Sequence, residues 1–261
     1  MKKIYIGLFI LLSSSLIAQE KKSIIYDENA VPRKVAAFNA ISVSSAIDLY
    51  LTQSNKTEVA VSASNEDIRD HIITEVVGST LIVRLGEKGT WWSWKKWGNY
   101  KTKAYVSIKD IDAITASGAS NIHLVNTLES PKIRIKLMGA SDFRGNINAG
   151  VLLYTLSGAS DYRGEVSANS IDIEANGASH IELSGKVDDL AVEVSGASDA
   201  KLYNLTSKGA ILNASGASHI SANVTEILKA SSKGASDIDY KGNPNVKESS
   251  TAGASNIRHR N

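Results

Sequence analysis

From about residue 111 onward, apolar and polar residues alternate with a period of two, in step with a recurring tripeptide. Gly-Ala-Ser occurs eight times, beginning at Gly118, Gly139, Gly158, Gly177, Gly196, Gly216, Gly234 and Gly253, at steps of 21, 19, 19, 19, 20, 18 and 19 residues. Two residues before each glycine stand Ala116, Leu137, Leu156, Ala175, Val194, Ala214, Ser232 and Thr251. Four before it stand Ile114, Ile135, Tyr154, Ile173, Val192, Leu212, Ala230 and Ser249, with polar residues such as Arg134, Lys136, Asp172 and Glu174 between. Such alternation means a strand with one buried face. Four residues after the glycine runs a second apolar column: Ile122, Phe143, Tyr162, Ile181, Ala200, Ile220, Ile238 and Ile257. Each repeat therefore predicts one strand before the tripeptide and one after it. The tripeptide marks a corner, where glycine permits a sharp bend. Second corners are expected at Gly145, Gly164 and Gly185.

A step near twenty residues is the mark of a solenoid, whose repeats bury their apolar faces only against one another. The pattern predicts an all-β chain in which residues 111–261 form a parallel β-helix of about eight coils. Seven intervals of about 4.8 Å would make a rod of roughly 34 Å. Lys247, Ser249 and Thr251 fall at interior places of the last repeat, so 247–261 is read as a polar terminal cap. Ahead of the repeats, residues 33–110 read as a β-rich N-terminal part. Strands are expected at 40–44, 47–52, 58–63, 72–77, 80–85 and 103–108, and Asn65 should cap a helical turn at 66–68.

Composition narrows the setting. Lys2 and Lys3, an apolar stretch at 4–12 and small residues at 13–18 form a secretory signal peptide, residues 1–18, with cleavage expected after Ala18. Residues 19–32 are a polar lead-in. No other stretch is long and apolar enough for a spanning helix. The expected location is exported: periplasmic, outer-surface or extracellular. Two of the 29 basic residues lie in the signal peptide, which leaves 27 against 27 acidic ones and points away from nucleic acid. Cysteine is absent, which excludes disulfides, thiolate metal sites, a cysteine nucleophile and the usual lipoprotein anchor.

The order of the pieces carries a resemblance. Arg33-Lys-Val-Ala-Ala-Phe-Asn-Ala-Ile-Ser, then Thr80-Leu-Ile-Val-Arg-Leu, a Trp-rich insert, and Ala116-Ser-Gly-Ala-Ser with its repeats resemble the head GIN domain family, also labelled "putative auto-transporter adhesin". The resemblance covers about residues 31–261. It implies a right-handed β-helix in an exported, envelope-associated protein, and it carries over no catalytic residues. Eight residues follow Gly253, so neither a membrane barrel nor a sorting domain is expected.

Three surface features are candidates for chemistry. The residue after each tripeptide is Asn121, Asp142, Asp161, His180, Asp199, His219, Asp237 or Asn256. This column reads either as a ladder for calcium or sugar, or as residues suited to a turn. His180 and His219 are two coils apart, too far to share a metal, so no metal site is assigned. Asp142-Phe143-Arg144-Gly145 and Asp161-Tyr162-Arg163-Gly164 repeat on neighbouring coils and raise the alternative of a polysaccharide lyase or hydrolase. A motif that merely repeats is a weak active site, so no catalytic residue is named. The third feature is the insert 91–100, where Trp91, Trp92, Trp94 and Trp97 are all the tryptophans of the chain and Tyr100 closes the run. Clustered aromatics of this kind form platforms for sugars or protein partners, or fold back as packing. These five residues are the candidate ligand-binding set. The resulting expectation is a non-enzymatic, adhesin-like protein of the cell envelope that binds glycan or an envelope protein and needs no cofactor. A purely structural envelope or periplasmic role is the third possibility.

Overall fold

The computed structural model describes residues 27–86 and 100–261. The expected signal peptide at 1–18, residues 19–26 of the lead-in, and Trp91, Trp92, Trp94 and Trp97 lie outside the described residues. The N-terminal part runs β1 (Val31–Arg33), β2 (Ala40–Val43), β3 (Ile47–Gln53), β4 (Glu58–Ala63), α1 (Glu66–Asp70), β5 (Ile72–Val77), β6 (Thr80–Leu85) and β7 (Thr102–Ile108). The repeats begin with β8 (Ala113–Ala116), β9 (Asn121–Leu124), β10 (Leu128–Leu137), β11 (Asp142–Arg144), β12 (Ile147–Leu156) and β13 (Asp161–Ala175). They end with β14 (His180–Val194), β15 (Asp199–Ala214), β16 (His219–Gly234), β17 (Asp237–Lys241), β18 (Asn245–Gly253) and β19 (Asn256–His259).

Every strand of the repeats pairs in parallel with its equivalent one coil away, and the registers follow the tripeptide. Leu137 lies opposite Ala116 and Leu156, Ala175 opposite Leu156 and Val194, and Ala214 opposite Val194 and Ser232. All seven are buried, as are Phe143, Tyr162, Ile181, Ala200, Ile220 and Ile238 in the column after the motif. The chain is thus a parallel β-solenoid with one continuous core. Burying one Ile, Leu or Phe in it contributes about 1.5–3 kcal/mol. At the far end the cover runs out: Ser249 and Thr251 pair with Ala230 and Ser232 but stand exposed. Lys247 is not on the interior column, because it falls at a register shift between the partners of Leu228 and Lys229.

The N-terminal part continues the same stack in permuted order. β2 pairs with β8 on one side and β6 on the other, and β3 pairs likewise with β9 and β7, all in parallel. The outermost coil is therefore built from β6 and β7, although β2 and β3 precede them in sequence. The outer edge is then closed by antiparallel strands: β5 on β6, β4 on β7, and β1 on β4. Asn65 accepts from the amide of Ile68 at 2.9 Å, starting α1, and Ile68 is wholly buried under it.

Candidate functional site

The corners set where side chains can face outward. All eight motif glycines take positive φ, from +64° to +85°. In the stacked coils a Cβ there would collide with the coil below, as at Gly177, where it would stand 2.6 Å from the Gly158 oxygen. The following alanine amide donates to that same oxygen, Ala178 to Gly158 at 2.7 Å. The serine turns inward and is buried at every corner but the last, where Ser255 is half-buried. Its hydroxyl closes its own corner: Ser160 donates to the Ser157 oxygen at 2.9 Å, and Ser179 to the Asn176 oxygen at 2.9 Å. This role of the serine was not visible in the alternation, because a polar residue at an inward place breaks it. The corner between β2 and β3 has no glycine; Ser45 and Ala46 take φ of 69° and 58° instead.

The second corners depart from expectation. Gly145 and Gly164 stack, and a Cβ on Gly164 would meet the Gly145 oxygen. Gly185 does not join them: it lies opposite Val166 and bends with φ +111°. Gly164 is part of β13 and has no positive φ.

Past the corner, two outward columns run along the rod. One holds Lys103, Asp48, Asn121, Asp142, Asp161, His180, Asp199, His219, Asp237 and Asn256 in successive register. Two residues on, the other includes Tyr105, Tyr50, His123, Arg144, Arg163 and Glu182. Most charged rungs are satisfied inside the protein. Asn121 donates to Asp48 at 2.7 Å, and Lys103 to Asp27 at 3.2 Å. Arg163 pairs with Glu182 at 3.5 Å, Lys201 with Asp199 at 3.7 Å, and Arg258 with Asp237 at 3.3 Å. The basic tail is thus docked, with Arg260 also donating to Asp239 at 3.1 Å. Rings of Tyr105, Tyr50 and His123 stack in sequence, at 5.3 and 5.1 Å. No group of three or more metal-ligating side chains comes together among the described residues.

A concave strip lies beyond the second corner. Three adjoining hollows of about 500, 580 and 470 Å³ run over successive coils. Their floor is the column Glu129, Asn148, Ser167, Lys186 and Thr206, one residue per coil in register. Small neighbours, Ala149, Gly150 and Ala168, keep it hollow. Asn148, Ser167 and Lys186 make no side-chain hydrogen bond or ion pair among the described residues. Sequence reasoning missed this strip although each floor residue stands ten before the next motif glycine, because the column mixes Glu, Asn, Ser, Lys and Thr and alternation marks only which residues face outward, not where the surface is hollow. A separate cleft of about 800 Å³ lies at the N-terminal part, where Val35, Phe38 and Val59 line it beside Arg33 and Lys34.

Of the five residues expected to bind ligand, only Tyr100 is among those described. It is half-buried and packs against the core. Trp91, Trp92, Trp94 and Trp97 fall in the sequence between β6 and β7, outside the described residues.

The family model described as "Putative auto-transporter adhesin, head GIN domain" matches residues 37–244. The chain belongs to that family. Among solved structures, a "putative adhesin" from Parabacteroides merdae is 17% identical with a TM-score of 0.80, covering 89% of this chain and 95% of that one. A "putative adhesin" from Parabacteroides distasonis is 19% identical with a TM-score of 0.77, over 88% and 96%. A "Putative lipid binding protein" from the same species is 21% identical with a TM-score of 0.76, over 89% and 98%. At these identities the likeness is one of fold. No curated protein matches the chain.

Proposed function

We propose that this head GIN domain protein is exported and acts in the cell envelope as a non-enzymatic, adhesin-like binder of an extended glycan. The observation that carries the reading is the concave strip, where Asn148, Ser167 and Lys186 offer free polar groups on three successive coils. A ligand that repeats along its own axis suits a surface that repeats every 4.8 Å or so. Family membership supports the adhesin-like class. A non-enzymatic role is favoured because acid and base need unlike environments, whereas Asp142 and Asp161 repeat one environment in register. The tryptophans of the insert extend the proposal as stacking partners for sugar rings.

Screening neutral and acidic polysaccharides against the exported chain tests this reading. Asn148→Ala with Lys186→Ala should weaken the best ligand by about tenfold, at an unchanged melting temperature. Undiminished binding by that double variant would rule the strip out. Replacing Trp91, Trp92, Trp94 and Trp97 with Ala should reduce binding without unfolding; loss of the fold instead assigns the insert to the core. A second reading has one observation behind it. The N-terminal cleft combines apolar Val35, Phe38 and Val59 with basic Arg33 and Lys34, a lining that suits an anionic amphiphile. Saturable binding of a fatty acid, abolished by Val35→Asp, is the result that would favour it.

A further inference from the structure

On the face after the motif, most charged rungs are paired within the protein. Among the described residues Asp142, Asp161 and Arg144 have no hydrogen-bond or ion-pair partner for their side chains. They stand together on two adjacent coils: Asp142 lies opposite Asp161, and Arg144 opposite Arg163. Arg163 is engaged by Glu182 at 3.5 Å, which leaves two carboxylates and one free guanidinium. Like charges directly opposite on neighbouring strands are destabilising. The patch therefore works against stability above a tightly packed aromatic base. Beneath it Phe143 and Tyr162 are wholly buried and stack at 4.9 Å, and Tyr154 meets Tyr162 edge-on at 4.7 Å. Next to Arg144 on the preceding coil is His123, whose ring already stacks on Tyr50 at 5.1 Å.

We infer that Asp142, Asp161 and Arg144 form a binding site for a neutral saccharide. Adjacent carboxylates accept hydrogen bonds from a pair of neighbouring hydroxyls, which relieves their mutual repulsion without bringing in charge. The guanidinium is donor-only and takes a ring or hydroxyl oxygen of the same sugar. An acidic sugar is disfavoured by the two carboxylates, and a free metal ion by the guanidinium beside them. The patch sits immediately before the Gly145 corner, and Asn148 of the concave strip follows on the same coil. The patch thus shares its two coils with Asn148 and Ser167 of the strip, on the other side of the Gly145 corner. The inference rests on the reading of the strip as a glycan site, and deepens it by naming the charge class and the anchoring residues.

The test titrates the exported chain with cellohexaose, maltohexaose and mannohexaose, with hexagalacturonate and hexalysine as charged comparators. At least one neutral oligosaccharide should bind, and more tightly than hexagalacturonate. Asp142→Asn with Asp161→Asn, and separately Arg144→Gln, should each weaken it about tenfold. The paired Asn variant should melt no lower than the parent, since it removes a repulsion. If both patch variants keep full affinity while Asn148→Ala with Lys186→Ala loses it, the strip reading stands and this inference falls. The opposite pattern keeps the patch and overturns the strip. Absence of binding by every neutral probe overturns both, and tight hexalysine binding that needs the two carboxylates replaces the sugar with a basic peptide.

Discussion

At Gly177, φ is +83° and a Cβ would stand 2.6 Å from the Gly158 oxygen, so a side chain there meets strain and collision together. Gly78, also at positive φ, +64°, has nothing within 4 Å of its would-be Cβ. Gly177→Ala should therefore destabilise well beyond the roughly 1 kcal/mol expected from conformation alone, while Gly78→Ala should stay near that figure. Urea melts of the two variants decide it, and equal losses would mean the corners are not tightly stacked. The inward columns allow a parallel comparison. Ile173 and Leu212 are wholly buried, and truncating either to Ala should cost about 2–5 kcal/mol. Arg134 is exposed, and Arg134→Ala should cost less than about 0.5 kcal/mol. Similar losses at buried and exposed places would refute the orientation of β10 and its neighbours.

Among the elements, the antiparallel cap depends on one carboxylate. Asp27 accepts from Ser62 at 2.7 Å, Tyr105 at 2.9 Å and Lys103 at 3.2 Å, tying the lead-in to β4 and β7. Burial pushes its carboxyl up, but those three hydrogen bonds outweigh it and hold the group below its ordinary value of 3.8. A depressed carboxyl adds stability above its unfolded-state value and loses it as pH falls through the lower folded one. Asp27→Asn should therefore destabilise at pH 7, and the gap to the parent should close below pH 3.8. A gap that is constant with pH would deny Asp27 this role. These short strands were largely legible in the sequence: β4, β5 and β6 span 58–63, 72–77 and 80–85, as alternation and turn residues predict. Their partners were not legible. Period-two alternation says which face of β6 is buried but not that β2 lies beside it, and the corner at Ser45 and Ala46 offers no glycine to count. The site was legible in part: the Asp-aromatic-Arg-Gly pair stands out in sequence, but the missing partners of Asp142, Asp161 and Arg144 appear only in three dimensions. The strip depends on small residues, Ala149 and Gly150, being hollow relative to their neighbours, which no linear pattern records.

For the whole molecule, the two ends of the stack are finished by different means. A solenoid end presents a row of unpaired backbone groups and a section of open core, which invites edge-to-edge association. At the C-terminal side the strand β18 is exposed at every residue and carries Lys247, Glu248, Ser249 and Ser250, so charge and polarity protect it. At the other side the protection is architectural: the chain lays down β2 and β3, then doubles back so that β6 and β7 cover them and antiparallel strands close the edge. The coil at β8 and β9 has no such protection of its own. Ile114 and Ile122 are wholly buried, and in register they face Ile41 and Leu49 of the preceding coil. We therefore propose that the N-terminal part is required for the repeats to exist as a discrete molecule. A chain reduced to residues 111–261 should self-associate through the bared face of β8 and β9, whereas the full chain should not show association through that face. Light scattering and melting curves on the two chains check this. A monomeric 111–261 fragment that melts as sharply and as late as the full chain would show that the repeats fold without their cap.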